Sequence, residues 1–366
     1  MTTNDPTHFD VLIVYSQRLA TSASDPSIKN VNPFPIGSKN ESYNIVYGYF
    51  LEICHNLKLK AAFTTSADII GPGLCKSFWQ FKNKKWQKNN SPCFSTLIFD
   101  KFSPIGNGIK TRRQLLFSSN EIKPFNDPDL FNLFFDKQLT YEKLNQHAIP
   151  TISLGEKTLQ SLDDACKTLT KLMDYHPGSK DFTPDLIMKD RFGAGGRHVY
   201  KFKADESEKM LAVVNKNAKI SFIIQPFAKF DQGFSYQNCP AATDIRFVYL
   251  KGKIIQSYIR VAKTGDFRCN EHQGGSLNYL SLSQIPQEII TKSNLIASTL
   301  GKKTSLYSLD FIISNNGNPY LLEGNTGPGL DWNMSIMKNE IKSKKLIRLI
   351  VEELVVRSQP QLNYTN

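Results

Sequence analysis

Several patterns are missing from this sequence of 366 residues. No window holds the roughly 18 consecutive apolar residues of a membrane-spanning helix, and the opening MTTNDPTHFD lacks the basic and apolar regions of a signal peptide. The six cysteines are scattered without a C-x-x-C pair, which argues against a zinc knuckle and a secreted disulfide framework. We therefore predict a cytoplasmic protein with reduced, structural thiols.

Motifs for nucleophilic catalysis and for nucleic-acid binding are also missing. The sequence has no convincing Ser-His-Asp or Cys-His arrangement, and His272 alone does not indicate a general base. No helix-turn-helix, zinc-finger or RNP-type pattern is present. Neither covalent catalysis by a side chain nor nucleic-acid recognition is therefore the favoured interpretation.

Basic residues outnumber acidic residues in this sequence. Lysine and arginine number 45 against 33 acidic residues, and the net charge of +12 favours anionic ligands. The densest basic run, FKNKKWQK, interleaves lysines with Phe81 and Trp86, a composition that could grip a phosphate chain and stack bases. An exposed basic loop or helix near a site for acidic small molecules is the favoured interpretation.

Apolar periodicity predicts a chain that mixes helices and strands. Strands are predicted at 9–15, 61–65, 94–99, 151–154, 186–189, 199–202, 221–227, 244–250 and 254–262, and helices at 41–57, 128–147 and 162–173. Lys251-Gly252 joins the last two strands as a hairpin. These strands carry Arg246 and Arg260 in one sheet, and the sequence leaves open whether the two arginines share a face.

A second hairpin is predicted at Asn316-Gly317, the dipeptide that most favours a two-residue type I′ turn. If that turn closes, Asn315 pairs with Asn318, and Asp310 lies directly opposite Glu323. Alternation along the strands adds Asn325 to the same face. The other face is then predicted to hold Leu309, Phe311, Ile313, Tyr320 and Leu322.

Two carboxylates that face each other across a ladder repel, so the pattern indicates a cation between them. Oxygen ligands suit Mg²⁺, which completes its shell with water and phosphate oxygens. The alternative is an ordinary hairpin whose acidic side chains point into solvent.

A glycine-rich loop, KDRFGAGGRHV, follows the strand that ends at Lys189. Its glycines free the backbone so that N–H groups can face a phosphate, and Lys189 would supply a point charge beside it. The loop has no GK[ST] and no following helix, so it is neither a Walker loop nor a Rossmann turn. A plain hairpin turn would explain the same glycines.

Six segments, taken in order, resemble the ATP-grasp superfamily and most closely its carboxylate–amine ligase branch, typified by the ribosomal-protein glutamate ligase and glutathione synthetase. They are DKQLTYEKL, LIMKDRFGAGGRHV, FIIQPF, DIRFVYLKGK, FRCNEHQGG and LDFIISNNGNPYLLEGNTGPGL. The resemblance implies an α+β, ATP-grasp fold in which two α+β subdomains grip ATP. The implied domains are a small α/β N-terminal domain at 1–125, a lid subdomain at 126–227 and a C-terminal subdomain with the metal site at 228–366.

The resemblance also implies roles for individual residues. Those expected to contact ATP are the phosphate-binding Lys137 and Lys189, the lid glycines Gly193, Gly195 and Gly196, the adenine-binding Gln225 and Phe227, and Asp231 at the ribose. The expected ligands of two Mg²⁺ ions, with Mn²⁺ as an alternative, are Asp310, Glu323 and Asn325. The residues expected to hold the transferred phosphate and the substrate carboxylate are Arg246 and Arg260, with Asn270 in a similar position.

The implied activity is that of an ATP-dependent carboxylate–amine ligase. A carboxylate attacks the γ-phosphoryl group to give an acyl phosphate, and an amine then forms the amide and frees phosphate. The partners would be ATP, an acid, and an amine on an amino acid, a peptide or a protein tail; homo-oligomerisation stays open. Two alternatives are an ATP-grasp kinase of a polyphosphorylated alcohol, such as an inositol phosphate, and a non-catalytic ATP-binding regulator.

Overall fold

The computed structural model describes residues 5–27, 31–237, 239–331 and 336–359. The chain divides into two compact units, one formed by residues 1–127 with 329–366 and the other by residues 128–328. The sequence had placed residues 329–366 with the metal-site subdomain, and its boundary at residue 227 falls inside a strand. Among the described residues, no helix combines the length and the apolar character needed to cross a bilayer.

The secondary structure of the described residues mixes helices and strands in both units. The helices are α1 (Tyr43–Asn56), α2 (Asn107–Leu116), α3 (Pro128–Phe135), α4 (Lys137–Leu144), α5 (Leu159–Asp174), α6 (Ser207–Lys216), α7 (Gln287–Leu300) and α8 (Met337–Ser358). The strands of the first unit are β1 (Thr7–His8), β2 (Val11–Tyr15), β3 (Ala61–Thr65), β4 (Ile69–Gly71), β5 (Leu74–Cys75), β6 (Phe78–Lys82), β7 (Lys85–Asn89), β8 (Cys93–Phe94), β9 (Leu97–Lys101) and β10 (Lys123–Pro124). Those of the second unit are β11 (Ile152–Ser153), β12 (Phe182–Asp190), β13 (Val199–Phe202), β14 (Phe222–Ala228), β15 (Ser235–Tyr236), β16 (Cys239–Pro240), β17 (Thr243–Leu250), β18 (Lys253–Val261), β19 (Ser276–Tyr279), β20 (Tyr307–Ile313) and β21 (Pro319–Asn325).

The first unit is built on a six-stranded sheet in the order β10-β9-β2-β3-β6-β7, in which β10, β9, β2 and β3 run parallel. Every residue of β2 is buried because both faces of the sheet are covered. On one face, α1 packs Phe50 against Phe99 of β9. On the other face, Ile109 of α2 joins the cluster that contains Leu12 of β2.

The second unit contains two larger antiparallel sheets, each covered by helices on one face. The four-stranded sheet runs β11-β14-β12-β13, and α5 and α6 pack Leu169 and Met210 into the cluster around Met188. The five-stranded sheet runs β19-β18-β17-β20-β21, and α3 and α7 pack Phe134 and Ile289 into its core. The polar residues discussed below lie on these two sheets and in their connections.

The single helix predicted at 128–147 is wrong, since the chain forms α3 and α4 with a break at Asp136. Asp136 has an extended backbone, and its carboxylate accepts hydrogen bonds from the amides of Gln138 and Leu139. It is therefore the N-cap of α4. The break places Lys137 at the first position of the second helix, next to the glycine-rich loop.

The basic run at residues 81–88 is a β-hairpin rather than the predicted loop or helix, because it lies on β6 and β7. Trp79, which precedes the run, is fully buried, and the Trp86 indole donates to the carbonyl of Asn44. The rings therefore pack into the first unit, whereas the lysines around the turn are exposed. This packing argues against the rings as a stacking surface for bases.

The cysteines whose side chains the structure describes are not joined by disulfides, and their reduced state stays a prediction. Cys54, Cys75, Cys93, Cys166 and Cys269 are free, and all except Cys166 are buried. The side chain of Cys239 lies outside the described residues.

Candidate functional site

The predicted opposition of two carboxylates is confirmed, since Asp310 on β20 pairs with Glu323 on β21. The predicted turn is wrong. Ser314 pairs with Asn318 through a backbone hydrogen bond of 2.9 Å, and the Gly317 amide donates to Ser314 at 2.8 Å. The loop is therefore three residues long, with only Gly317 in the left-handed region at φ 87°.

A β-bulge restores the pairing that the longer loop would have shifted. Phe311 pairs with Leu321, one residue out of the predicted register, whereas Asp310 pairs with Glu323, so the extra residue is Leu322. The bulge also changes the predicted faces. Leu321 joins the cluster of Phe311, while Tyr320 and Leu322 pack on the opposite face, contrary to the prediction.

One face of the five-stranded sheet carries a buried network of arginines and carboxylates. Strand pairing places Arg246 opposite Asp310 and Arg260 opposite Asp244, which answers the question of the shared face that the sequence left open. Arg246 Nε donates to Asp310 Oδ1 at 2.6 Å. Arg260 donates to both oxygens of Asp244 and, through Nη2, to Asp310 Oδ2 at 2.8 Å.

The two aspartates of this network have opposite pKa shifts. Burial raises the pKa of Asp244 above its usual range, although Arg260 opposes the shift. Burial also acts on Asp310, but the nearby Arg246 and Arg260 outweigh it and lower the pKa of that carboxyl. The two arginines therefore favour the charged form of Asp310 strongly enough to overcome its burial.

A cavity brings this face together with the four-stranded sheet, within the second unit. Glu323 and Asp310 line it from one side, and Lys189 at the end of β12 lines it from the other. Burial and the positive charge of Lys137 lower the pKa of Lys189 to about 8, although Glu323 opposes the shift. Lys137 and Lys189 thus line the same space as Asp310 and Glu323.

The glycine-rich loop between β12 and β13 forms another wall of the cavity. The ammonium group of Lys137 donates to the carbonyl of Gly193. Gly195 and Gly196 have φ near 70°, in the left-handed region. A Cβ at Gly196 would lie 2.7 Å from Asn270 Oδ1, so the loop passes directly against the segment that carries Asn270.

The remaining walls of the cavity come from β14 and from the segment that leads to β19. Gln225 is buried, and its amide donates to Thr151 Oγ1 at 2.7 Å. The ring of Phe227 lies 3.5 Å from the ammonium group of Lys201 and packs against Phe267. Side chains for an aromatic base and for an anionic group are therefore present in the same cavity.

The structure brings together most of the residues that the sequence had grouped. The predicted site residues that line the cavity are Lys137, Lys189, Gly193, Gly196, Gln225, Phe227, Arg260, Asn270, Asp310 and Glu323. Those that do not line it are Gly195, Asp231, Arg246 and Asn325. Their predicted roles stay predictions.

Three of these four residues have identified partners. Asp231 is exposed and accepts a hydrogen bond from the side chain of Asn315 at 2.9 Å. Arg246 is buried within the network described above, where it donates to Asp310. The side-chain oxygen of Asn325 accepts from the amide of Gly327 at 2.7 Å.

Sequence reasoning missed several residues of the site. Arg191 donates from Nε and Nη2 to the two oxygens of Asp136, each at 2.6 Å, and so ties the glycine-rich loop to the cap of α4. Asp244 lines the cavity, and its position two residues before Arg246 on one strand could have revealed it. Arg268 also lines the cavity and donates to Asp266, whose pKa its hydrogen bonds lower to about 2.

The donor set at the cavity suits a hard cation that arrives with phosphate groups. In the described part of the chain, no three His, Cys, Asp or Glu side chains cluster closely enough to hold a metal ion. Asp310 and Glu323 offer carboxylate oxygens, and the described residues provide no hydrogen-bond donor to the Glu323 carboxylate. Mg²⁺ accepts such a limited protein contribution, because it retains waters and takes phosphate oxygens as ligands. The two carboxylates therefore fit Mg²⁺ bound together with a nucleotide.

Comparison with known proteins gives a consistent result. The family model of the RimK-like ATP-grasp domain matches residues 136–350, more than half of the chain. A curated relative, "Probable alpha-L-glutamate ligase" from Shewanella pealeana, is 29% identical over 217 residues, which cover 59% of this chain and 41% of the relative. The chain spans about two-fifths of the length of the first curated relatives it matches.

Solved structures show the fold. The D-alanine–D-alanine ligase from Bacillus anthracis complexed with ATP superposes with a TM-score of 0.55 at 15% identity, covering 96% of this chain and 98% of that one. The ATP-grasp ligase PsnB, complexed with a phosphomimetic variant of its minimal precursor, Mg and ADP, gives a TM-score of 0.54 at 11% identity and covers 97% and 100%. The α+β fold predicted from the sequence is confirmed.

Proposed function

Because the chain belongs to the family of RimK-like ATP-grasp domains, we propose that it is an ATP-dependent carboxylate–amine ligase that forms an amide bond and releases ADP and phosphate. The observation that supports this most is the convergence of Lys189, Arg260, Asp310 and Glu323 on one cavity. These side chains supply positive charge for phosphates and oxygen ligands for a cation in the same space. That combination is what phosphoryl transfer requires.

The residues that line the cavity have different roles in the proposed reaction. Lys137 and Lys189 hold the phosphates of ATP, and Gln225 with Phe227 holds the base. A substrate carboxylate attacks the γ-phosphorus, the bond to the ADP oxygen breaks, and an acyl phosphate forms. The amine then attacks the acyl carbon and phosphate leaves. Arg260 stabilises the negative charge that develops during both steps.

ATP and Mg²⁺ are the proposed cofactors. One solved ligase with this fold is complexed with ATP, and another with Mg and ADP. In this chain Asp310 and Glu323 would hold the cation, with Asn325 as a further ligand and two ions as the proposed number. Mg²⁺ neutralises phosphate charge and polarises the phosphoryl group that is transferred.

The proposed substrates are an acidic amino acid and a peptide or protein tail. Relatives that match the chain bear the name "Probable alpha-L-glutamate ligase", and a RiPP-associated ATP-grasp ligase from Chryseobacterium gregarium is in complex with a leader and core peptide. The net charge of +12 suits substrates that carry carboxylates. These observations support glutamate as the first substrate to examine.

The test is a coupled measurement of ADP and free phosphate on the full chain with Mg-ATP. Glutamate and other amino acids are supplied with peptides as acceptors, and mass spectrometry identifies the product. The proposal expects equal amounts of ADP and free phosphate, with a product heavier by one amino-acid residue. ADP without free phosphate would instead indicate a kinase. Binding of Mg-ATP with no ADP from any pair would indicate a regulator.

A further inference from the structure

The glycine-rich loop is tied to the start of α4 by an ion pair that the proposed reaction does not use. Arg191 donates from Nε and Nη2 to the two oxygens of Asp136, each at 2.6 Å. The side chain of Asp136 is 9% exposed and that of Arg191 is 27% exposed. Two parallel hydrogen bonds between a guanidinium and a carboxylate form a strong and directional contact. Because this pair is mostly removed from water, salt screens it less than a surface pair.

Two further contacts join the same segments. The backbone amide of Lys137 donates to the carbonyl of Arg191 at 3.1 Å. The rings of Phe135 and Phe192 stack, with their centroids 5.1 Å apart. Three consecutive residues at the break between α3 and α4 therefore contact the first two residues after β12.

This junction holds two positive charges close together. Lys137 at the start of α4 and Lys189 near the end of β12 line the same cavity. Burial, and after it the charge of Lys137, lower the pKa of Lys189 to about 8, although Glu323 opposes the shift. The two ammonium groups thus repel each other. Their repulsion pushes α4 away from β12, so an attraction is needed at the same junction.

The ion pair supplies this attraction between the same two segments. Asp136 directly precedes Lys137, and Arg191 lies two residues after Lys189. Opposite charges therefore hold together the segments that the like charges of the two lysines push apart. The side chains of Asp136 and Arg191 do not line the cavity. Their effect on a bound nucleotide is therefore indirect, through Lys137 and the loop.

We propose that Arg191 is a positioning residue, which through its ion pair with Asp136 holds Lys137 within reach of a nucleotide phosphate. The ammonium group of Lys137 donates to the carbonyl of Gly193. It can turn to a phosphate oxygen while α4 stays in place, because the ion pair and the backbone contact hold the start of that helix. The inference rests on the proposed function, which assigns Lys137 to the phosphates of ATP.

The test measures binding of the non-hydrolysable analogue Mg-AMPPNP to the full chain by calorimetry, so it requires no turnover. Arg191→Gln is expected to raise the Kd by about tenfold or more, the effect of losing one hydrogen bond to a charged group. Asp136→Asn is expected to raise the Kd by a similar factor, because asparagine still caps α4 but carries no charge. The control Arg113→Gln removes a guanidinium that donates to Asp100 in the first unit, and the Kd is expected to stay nearly unchanged.

A double-variant cycle separates positioning from a general loss of structure. Lys137→Met removes the ammonium group and is expected to raise the Kd by itself. If Arg191 acts through Lys137, adding Arg191→Gln to Lys137→Met raises the Kd little further. Equal factors for Arg191→Gln with and without Lys137→Met would overturn the proposal, because Arg191 would then act independently of Lys137.

Arg191→Lys keeps the test decisive if the glutamine variant does not fold. It retains the charge but lacks the planar fork, and it is expected to raise the Kd several-fold. Unchanged binding in both arginine variants would overturn this proposal alone. No binding of Mg-AMPPNP to the wild type would overturn it together with the proposed function. Binding that depends on Arg191, with no product from any substrate pair, would support the positioning role and count against the ligase activity.

Discussion

Two hairpins of the five-stranded sheet each carry a glycine as the second residue of the predicted turn, yet their turns differ. The β17–β18 hairpin closes through Lys251 and Gly252, both left-handed, in the two-residue turn that the sequence predicts. The β20–β21 hairpin closes through three residues, and only Gly317 is left-handed. Asn316-Gly317 is the stronger turn signal, yet its prediction is the one that is wrong.

The difference follows from what surrounds each turn. Lys251 and Gly252 are exposed. At the β20–β21 tip, the side chains of Asn316 and Asn318 both donate to the buried carboxylate of Asp181, at 2.7 and 2.8 Å. The Tyr320 hydroxyl donates to the same carboxylate at 2.5 Å. Local backbone propensity therefore determines the turn type of the exposed β17–β18 hairpin. Hydrogen bonds to the distant Asp181 determine the turn type at the β20–β21 tip.

The largest change in the free energy of unfolding is expected at Arg260, which lies in one hairpin and donates to Asp310 in the other. Arg260→Ala leaves the buried Asp244 unpaired and removes one of the arginines that hold Asp310. We expect the free energy of unfolding to fall by about 3–5 kcal/mol in urea denaturation, the usual result of leaving buried charges unpaired. The control is Arg268→Ala, which removes a half-exposed ion pair and is expected to cost less than about 1 kcal/mol. Equal losses in the two variants would contradict the buried network.

A smaller effect is expected from Asp181→Asn, which weakens the docking of the β20–β21 tip. Hydrogen bonds to a charged group are worth about 1.5–3 kcal/mol, and we expect a loss of this size in the free energy of unfolding. Asp185→Asn on β12, which begins directly after Asp181, is the control, because Asp185 pairs with the partly exposed Lys201 and the exposed Lys203. A larger loss at Asp185 would indicate that the tip is not anchored through Asp181.

The Asp181 contribution should also depend on pH. Burial raises the pKa of Asp181, but hydrogen bonds from Tyr320 and the two asparagines outweigh it and lower the pKa below its usual range. A depressed pKa gives stability that is present above the unfolded value and is lost as pH falls through the folded value. The stability difference between wild type and Asp181→Asn should therefore shrink as the pH falls below 4. A difference that grows on acidification would contradict the assignment.

The smallest change in the free energy of unfolding is expected at the exposed β17–β18 turn. Lys251 adopts φ 56°, which is unfavourable for a residue with a long side chain, whereas asparagine tolerates this region. We expect Lys251→Asn to raise the free energy of unfolding by about 0.5 kcal/mol. Asn316→Gly in the docked turn should lower it instead, because the hydrogen bond to Asp181 is lost. A rise in the free energy of unfolding in both variants would contradict the claim that hydrogen bonds to Asp181 hold the β20–β21 turn.

Much of the fold could be predicted from the sequence because the relevant patterns are local. The strands at 61–65 and 199–202 lie where apolar runs between polar residues had placed them. The Asp310–Glu323 pair was also predicted, although through two errors that cancel, since the longer loop shifts the register by one residue and the bulge shifts it back. Such compensation is invisible to local reasoning.

The parts that the sequence did not predict depend on distant partners. Asp181 is 135 residues from Asn316, and Arg246 is 64 residues from Asp310. The break between α3 and α4 has the same origin, because Arg191 from the glycine-rich loop holds Asp136. Each residue was visible as a charged side chain, but nothing local specified which charge it would meet.

The most direct test of the proposed site compares Glu323→Gln with the wild type. Glu323 lines the cavity but lies outside the arginine network, so the melting temperature without ligand should be unchanged. We expect Mg-ATP to stabilise the wild type and not the variant, and ADP and phosphate release to fall by roughly 100-fold or more, as when an electrostatic contact to the transition state is removed. ADP and phosphate release by Glu323→Gln at the wild-type rate would contradict the account.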